Sequence, residues 1–191
     1  MNINKAIKKQ RNKYLRFVFL MSFIFILFPF IVIYAKLYNY IIYVYVLVLD
    51  LLVLIAILKR SDEDALFYRQ RFNKFYIKRG LFRKRNSFNC EDLIFVHVEG
   101  KEENIKLILI VRSKKNSRNL RPITKKFIKE YPYAGDYYYN LFKEKPDYKY
   151  YYIIINRGKY KKYLLLNKLY GSCFNAFYSE ESVKHIKEYR K

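Results

Sequence analysis

The residue types that most often carry chemistry in proteins are scarce in this chain. Two cysteines, Cys90 and Cys173, and two histidines, His97 and His185, are its best metal-ligand side chains. They occur in no Cys-x-x-Cys or His-x-x-x-His spacing, so a metal site would require the fold to gather all four. We therefore expect no metal. His97 lies in an alternating run and is expected to face water from a strand, whereas His185 is expected on a polar terminal helix.

Motifs of known catalytic machinery are also missing from the sequence. There is no glycine-rich phosphate loop, no Gly-x-Ser-x-Gly elbow and no His-Glu-x-x-His helix, and the chain has five glycines in all. Asp62, Glu63 and Asp64 form a carboxylate cluster beside Lys59 and Arg60. At a helix start such acids cap free amides and balance charge. We therefore expect neither an enzyme nor a cofactor.

One carboxylate lies inside an apolar stretch. Asp50 interrupts the run of residues 37–58, eight positions before its end. In the preceding run Pro29 lacks an amide hydrogen and leaves the carbonyl oxygen of Phe25 without its helical donor. Phe25 lies eight positions after Phe17, where that run begins. We therefore expect protonated Asp50 to donate a hydrogen bond to Phe25 or to pair with another copy, with a ligand or proton-relay role as the alternative.

The apolar stretches decide the physical setting of the chain. Residues 17–35 and 37–58 contain Asp50 as their only charged residue. At about 1.5 Å per residue each run covers roughly 28 Å, which matches the hydrocarbon core of a bilayer. We predict transmembrane helices at 17–35 and 41–58, joined by a short outer turn at 36–40. A cleaved signal peptide is the alternative for the first run, but its apolar core would be only about 7 to 15 residues.

The positions of the cations predict the orientation of this hairpin. Six Lys and Arg lie in the basic N-terminus at 1–16 and several follow the second span, whereas only Lys36 lies in the turn. Lys and Arg in short loops are retained on the cytoplasmic side. We therefore expect a multi-pass protein of the cell membrane with both termini in the cytoplasm, and free thiols rather than a disulfide. The tyrosines expected at the outer interface are Tyr34, Tyr38, Tyr40 and Tyr43.

The segment after the second span is strongly basic. Residues 59–191 hold 32 of the 39 Lys and Arg and 15 of the 16 Asp and Glu, a formal net charge of +17. Anionic lipids attract such cations, so the anionic inner leaflet is the simplest partner. An A/T-rich genome is the alternative source of the excess, because Lys, Asn, Ile, Tyr and Phe all have A/T-rich codons. The expected contacts are Arg79, Arg83, Lys84 and Arg85, helped by Lys59 and Arg60.

Residues 59–191 are enough for one compact α+β domain. We predict a linker helix at 59–72 and a domain at 73–191. Its first strands are expected at 75–78 and 81–84 around the Arg79-Gly80 turn, followed by strands at 92–99, 104–112 and 120–123 around a polar turn at 113–119. Thr124 is expected to cap a helix at 125–130.

The second half of the domain is predicted to continue the antiparallel meander. Residues 131–146, rich in tyrosine, read as a loop or short helix. Strands are expected at 149–156, 161–167 and 172–177. Ser179 then caps a terminal helix that ends at Arg190, with Val183, Ile186 and Tyr189 facing the sheet.

This order of elements resembles a known bacterial family. The hairpin with a minimal turn, the segment Phe-Tyr-Ile-Lys-Arg-Gly-Leu-Phe at 75–82 and the ending Ala-Phe-Tyr-Ser-Glu-Glu-Ser at 176–182 look like the membrane-anchored pleckstrin-homology-like proteins, especially the YcxB-like group. The chain departs from the family pattern because it has no tryptophan and carries an extra tyrosine-rich segment at 131–147. The resemblance implies a PH-like antiparallel fold at a membrane and no established reaction.

We therefore expect a membrane-anchored, non-enzymatic interaction module. Its basic domain would bind the anionic inner leaflet or a protein partner, in a regulatory, transporter-accessory or self-immunity role. One alternative is an accessory subunit, or a homo-oligomer, whose helices pack at Asp50. A second alternative is nucleic-acid binding through the Tyr-rich basic strand at 148–152, which we consider unlikely because alternating Tyr in a strand usually forms a packed face.

Overall fold

Two long helices open the computed structural model, which describes residues 3–36, 39–113 and 119–190. Helix α1 covers Ile3–Tyr34 and helix α2 covers Tyr40–Asp64. Both are long and apolar enough to cross a membrane, and many of their large apolar side chains face outward; Phe19, for example, is 76% exposed. Of the predicted N-terminal segment at 1–16, residues 3–16 belong to α1, which begins at Ile3 and continues through Pro29. Residues 37 and 38 of the predicted outer turn at 36–40 lie outside the described part of the chain.

The predicted linker helix at 59–72 is wrong. Helix α2 continues to Asp64, and strand β1 begins two residues later at Leu66. The acidic residues therefore end a helix instead of starting one, a position that the helix dipole disfavours. Ion pairs compensate: Asp62 pairs with Arg157, and Asp64 lies 3.4 Å from the ammonium of Lys159.

Strands β1 (Leu66–Arg71), β2 (Lys74–Arg79) and β3 (Asn86–Asn89) form a small antiparallel sheet in that order. The predicted hairpin at 75–84 is wrong, because β2 pairs with the preceding residues and turns at Phe72, which has a positive φ of 49°. Gly80, with a φ of 98°, ends β2 and begins a loop that leads to β3.

A second, five-stranded sheet forms the centre of the domain. Its strands are β4 (Leu93–Glu99), β5 (Lys106–Ser113), β6 (Arg121–Pro122), β7 (Lys149–Ile155) and β8 (Phe177–Tyr178), in the order β6-β7-β5-β4-β8. The pairs are antiparallel except for β4 and β8, which run parallel. The strands predicted near β4, β5, β6 and β7 are confirmed. Of the strand expected at 172–177 only the last residue pairs, and most of the polar turn at 113–119 lies outside the described residues.

Four helices complete the domain: α3 (Lys125–Glu130), α4 (Pro132–Glu144), α5 (Lys161–Ser172) and α6 (Glu180–Arg190). The cap of α3 is as predicted, since Thr124 Oγ1 accepts a hydrogen bond from the amide of Phe127 at 3.4 Å. The tyrosine-rich segment forms the 13-residue helix α4. The strand predicted at 161–167 is wrong, because this segment is helical and buries Tyr163, Leu166 and Leu169 at a spacing of three.

Apolar layers cover both faces of the large sheet. Alternate residues of β5 point to opposite sides, so Leu107 and Leu109 face one core and Ile108 and Ile110 the other. The first core also contains Phe75 and Ile77 of the small sheet, side chains of α5 and α6, and Ile3 at the start of α1. The second core lies under α3 and α4. A strand buried on both faces reads as a continuous apolar run, which is the pattern of β5.

The structure corrects the prediction of free thiols. Cys90, after β3, and Cys173, after α5, form a disulfide, and their Cα atoms lie 4.8 Å apart. The two residues are 83 positions apart along the chain, so no local spacing indicated that they meet. The disulfide joins the small sheet to the helix that packs on the large one.

Candidate anion-binding site

Arg79 bridges the two sheets. It is the last residue of β2, and its backbone pairs with Leu66 of β1. Its guanidinium reaches the large sheet, where Nη1 donates a hydrogen bond to the carbonyl of Ile154 at 2.5 Å. Nη2 donates to Oδ1 of Asn86 at 3.0 Å, while the buried Nε has no hydrogen-bond partner in the described part of the chain. The Arg79 side chain is thereby fixed at the seam between the sheets.

Two further arginines face the same seam. Arg83 lies in the loop after β2 and Arg121 lies in β6, and with Arg79 they line two adjoining clefts of about 290 and 320 Å³. Lys84 also lines one of these clefts, and Lys126 the other. We call this concave surface the arginine cleft and define it by Arg79, Arg83, Lys84, Arg121 and Lys126.

Five cations and one carboxylate line the arginine cleft in the described part of the chain. Within residues 3–36, 39–113 and 119–190, no ion pair joins any of these cations to a carboxylate. The carboxylate that does line the cleft, Glu130, accepts a hydrogen bond from the Tyr131 hydroxyl at 2.9 Å. Burial, followed by the positive charges of Arg83 and Arg121, lowers the pKa of Arg79 to about 10. The cleft therefore holds like charges together without neutralising them.

Such an arrangement is suited to binding an anion. Guanidinium groups present planar, paired donors that match phosphate and carboxylate oxygens, and they remain charged at neutral pH. An anion in the cleft would offset the mutual repulsion of the arginines. The structure thus provides binding chemistry for a phosphate or carboxylate group.

The structure gathers only part of the predicted contact set. Arg79, Arg83 and Lys84 meet in the cleft. Arg85 does not, since its guanidinium lies 4.7 Å from the centre of the Tyr76 ring. Lys59 and Arg60 lie on α2 outside the cleft, and Arg60 contacts Glu63 and Asp64 at 3.9 and 3.8 Å.

Arg121 is the functional residue that the sequence reasoning missed. The short strand around it was predicted, but its partner was not. In the structure Arg121 pairs with Tyr152 of β7, which places its side chain beside the end of β2. No local pattern in the sequence indicates this contact, because it depends on the pairing of β6 with β7.

Asp50 lies in α2, and its Oδ1 is buried without a hydrogen-bond partner among the described residues. The expected bond from protonated Asp50 to the Phe25 carbonyl stays a prediction. Pro29 lies inside α1, which continues unbroken from Ile3 to Tyr34. Pairing with another copy stays a prediction.

The histidines are buried, which corrects the expectation for His97. His97 Nδ1 lies 2.8 Å from the Ser179 hydroxyl, and its Nε2 lies 3.9 Å from Glu99. This set resembles a hydrolase triad in composition, but Ser179 is 1% exposed and its hydroxyl accepts the amide of Ser182, which caps α6. His185 is also buried. Among the described residues, no group of three or more His, Cys, Asp or Glu is placed to hold a metal ion.

The tyrosines considered for nucleic-acid stacking mostly pack inside the domain. Tyr150 and Tyr151 are buried in the two cores, and the Tyr152 ring lies 4.3 Å from that of Phe127.

Comparisons with known proteins give no match: no family profile, no curated protein and no solved structure matches this chain. The resemblance to the YcxB-like group therefore stays a prediction.

Proposed function

We propose that this protein is a membrane-anchored, non-enzymatic module whose arginine cleft binds the phosphate groups of anionic phospholipids in the inner leaflet. The observation that carries the proposal is the convergence of Arg79, Arg83 and Arg121 on one cleft. In the described part of the chain no ion pair joins these arginines to a carboxylate. Like charges held close together repel one another, and an anion between them relieves that repulsion. Phospholipid is the anion source that a membrane anchor brings within reach.

The two apolar helices support the anchoring. In this proposal α1 and α2 form a transmembrane hairpin, and the cations before the first span and after the second place the domain in the cytoplasm. The resemblance of the element order to membrane-anchored PH-like proteins agrees with this arrangement, and the two packed sheets closed by α6 are compatible with it.

The contacts of the loop after β2 support a position near the lipid headgroups. The amide of Leu81 donates a hydrogen bond to Oδ1 of Asp62 at 2.7 Å. Asp62 lies four residues beyond Leu58, where the apolar run ends, and this corresponds to about 6 Å along the helix axis. Arg83 follows two residues after Leu81. The loop that carries part of the cleft is thus tied to α2 at headgroup depth.

The test requires the whole chain. Ile3 belongs to the first core and Ile7 packs against it, so a fragment of residues 59–191 would lack part of the domain interior. The full-length protein in a neutral detergent is titrated with dihexanoyl phosphatidylglycerol, which is anionic, and with dihexanoyl phosphatidylcholine, which has no net charge. We expect tighter binding of the anionic lipid and a loss of that preference as salt is raised.

Matched double variants locate the binding. Replacing Arg83 and Arg121 by Gln removes two cations from the cleft, and at about 1 kcal/mol for each cation this should weaken anionic-lipid affinity about 30-fold. Replacing Arg69 and Arg71 by Gln removes the same charge from exposed positions of β1 and should change the affinity far less. If both double variants lose the same affinity for the anionic lipid, net charge alone explains the binding. That result would contradict binding in the arginine cleft. Lipid-independent binding of an acidic protein, lost only in the cleft variant, would favour a protein partner instead.

A second candidate function is helix packing at Asp50. The observation that favours it is the buried Asp50 Oδ1 without a hydrogen-bond partner among the described residues. In hydrocarbon such a group gains from a partner on another helix. In this reading α2 packs against α2 of another copy or against a helix of a larger membrane assembly.

A further inference from the structure

A second cavity lies where the helices enter the domain. It is a groove of about 380 Å³ between the first half of α1, the end of α2 and the domain, and we call it the helix groove. Ile7, Phe67 and Leu81 give it apolar walls. Its polar lining includes Gln10 and Asp64, and two cations, Arg11 and Lys161, complete it. It shares no lining residue with the arginine cleft.

Two buried acceptors in the groove lack donors. Gln10 is 9% exposed and Asp64 is 8% exposed. Gln10 Nε2 donates to Asp64 Oδ1 at 3.2 Å, which fixes the orientation of the amide and leaves Gln10 Oε1 as the free end. Neither Gln10 Oε1 nor Asp64 Oδ2 has a hydrogen-bond partner in the described part of the chain. Two cations lie near the Asp64 carboxylate, with Arg60 Nε 3.8 Å from Oδ2 and Lys159 Nζ 3.4 Å from Oδ1. Buried acceptors of this kind are costly unless a ligand supplies donors.

The two cations of the groove call for an anionic group on the ligand. Arg11 and Lys161 form no ion pair with any residue that the structure describes. A ligand that satisfies all three features carries N–H donors for Gln10 and Asp64, an anionic group for the two cations and an apolar part for the walls. A phospholipid with a primary ammonium headgroup combines these three parts in one molecule.

The depth of the groove agrees with a lipid ligand, given the membrane anchoring proposed above. Tyr14, which lines it, lies three residues before Phe17 where the first apolar run begins, and Gln10 lies seven before it. On α2, Ser61 and Asp64 follow the end of the second run by three and six residues. At 1.5 Å per residue the groove therefore extends from about 4 to about 10 Å beyond the hydrocarbon, beside the headgroups.

We propose that the helix groove binds one aminophospholipid, with its ammonium at Gln10 Oε1 and Asp64 and its phosphate between Arg11 and Lys161. The inference rests on the membrane anchoring and is independent of the arginine cleft. The ligand differs from that of the cleft, because the acceptors select for N–H donors while the cleft selects for net negative charge.

Delipidated full-length protein in a neutral detergent tests the proposal. It is titrated with dihexanoyl phosphatidylethanolamine, and with phosphatidylcholine of the same chains, whose quaternary ammonium has no N–H donor. We expect the first lipid to bind at least about tenfold more tightly, because the analogue leaves the buried acceptors unpaired. Equal affinity for these two lipids would overturn the proposal.

A matched pair of variants assigns the binding to the groove. Gln10→Met removes the free acceptor at similar volume and is expected to weaken phosphatidylethanolamine binding about tenfold. Asn12→Met places the same side chain at an exposed position of α1 and should leave the affinity unchanged. The Arg83 and Arg121 double variant should also retain it, so failure of the cleft and failure of the groove are distinguishable. Unchanged affinity in Gln10→Met, with thermal unfolding like that of Asn12→Met, would overturn the assignment.

Discussion

At the scale of the residue, the role of each cation in this chain depends on what faces it. Arg157 faces Asp62, and the guanidinium of Arg85 faces the ring of Tyr76. Arg79 faces two other arginines and a backbone carbonyl. A net charge of +23 says how many cations there are, but only the fold separates those that are neutralised from those that are available to a ligand.

The residues of the candidate site illustrate how far sequence reasoning reaches. Arg79, Arg83 and Lys84 could be selected because they are close along the chain and flank a glycine. Arg121 lies more than 35 residues further on. It joins them only because β6 adds to the edge of the large sheet beside β7. Non-local pairing of this kind leaves no short-range pattern, so Arg121 and Lys126, two of the five residues of the arginine cleft, were beyond prediction.

His97 gives a prediction for the pH dependence of stability. Burial lowers the pKa of His97 below its ordinary value. The unfolded chain therefore binds a proton more readily than the folded one, and stability falls as the pH drops below about 6.5, the ordinary histidine pKa. Glu99 has the opposite effect on stability. Burial raises the pKa of Glu99, so its protonation at low pH favours the folded chain. We expect the denaturation midpoint of the full-length protein to decrease from pH 7.5 to pH 5.5.

The variant His97→Gln isolates this contribution. It retains a polar side chain beside Ser179 but cannot titrate, so its midpoint should vary less with pH than that of the unaltered protein. The same pH dependence in both proteins would show that groups other than His97 cause it.

At the scale of the element, local sequence patterns predicted secondary structure best in two kinds of segment. In one the two faces differ in burial, and in the other a capping residue marks the start of a helix. The strand at 149–156 and the helices after Thr124 and Ser179 are confirmed. The linker helix failed because Ser61 and the acids after it resemble an N-cap. Contacts with Arg157, Gly158 and Lys159 instead hold them at a helix end; the Gly158 amide donates to the Glu63 carbonyl at 3.0 Å.

Helix α5 shows a second reason for failure. Lys162 is 1% exposed, and its ammonium donates to the carbonyls of Glu103 and Ile105 at 2.9 and 2.5 Å. Burial lowers the pKa of Lys162 to about 8. A lysine in a core position breaks the amphipathic pattern of a helix, and the segment at 161–167 was predicted as a strand instead. Its partners come from a turn about 60 residues earlier, which no local window includes.

The packing of α2 gives a prediction for Asp50. If Asp50 pairs with another copy, replacing it by Leu removes the polar contact and should weaken self-association in neutral detergent about 3- to 10-fold. Asp50→Asn keeps a hydrogen-bond donor and should associate like the unaltered chain. Sedimentation of the labelled full-length protein measures the dimer fraction.

Two outcomes would count against pairing between copies. One is an unaltered chain that stays monomeric at all concentrations. The other is an Asp50→Leu variant that associates as strongly as Asp50→Asn, since the polar group would then be irrelevant to the contact.

At the scale of the whole molecule, the anchor and the domain form one packed unit. Helix α1 begins in the domain core at Ile3, and the Tyr14 hydroxyl lies 2.7 Å from the Ser61 hydroxyl of α2. The domain is therefore fixed relative to the helices at several points and is not suspended from a flexible linker. A rigid connection keeps both the arginine cleft and the helix groove at constant depth beside the membrane that we propose.

The disulfide is relevant to the side of the membrane on which the domain lies. Disulfides persist mainly in oxidising compartments, whereas the cations around α1 and α2 favour the cytoplasmic side. The disulfide of Cys90 and Cys173 therefore counts against the cytoplasmic orientation, and the distribution of cations counts for it. The proposal of inner-leaflet binding depends on the cytoplasmic orientation.

The most direct test of this account is the labelling of Phe82→Cys with a membrane-impermeant maleimide in intact cells. Phe82 is 76% exposed and lies in the loop that carries Arg83, so the label reports the side on which the arginine cleft lies. The unaltered chain gives the background from Cys90 and Cys173, which are both buried. We predict modification only after the cells are opened; modification in intact cells would place the cleft outside and contradict the account.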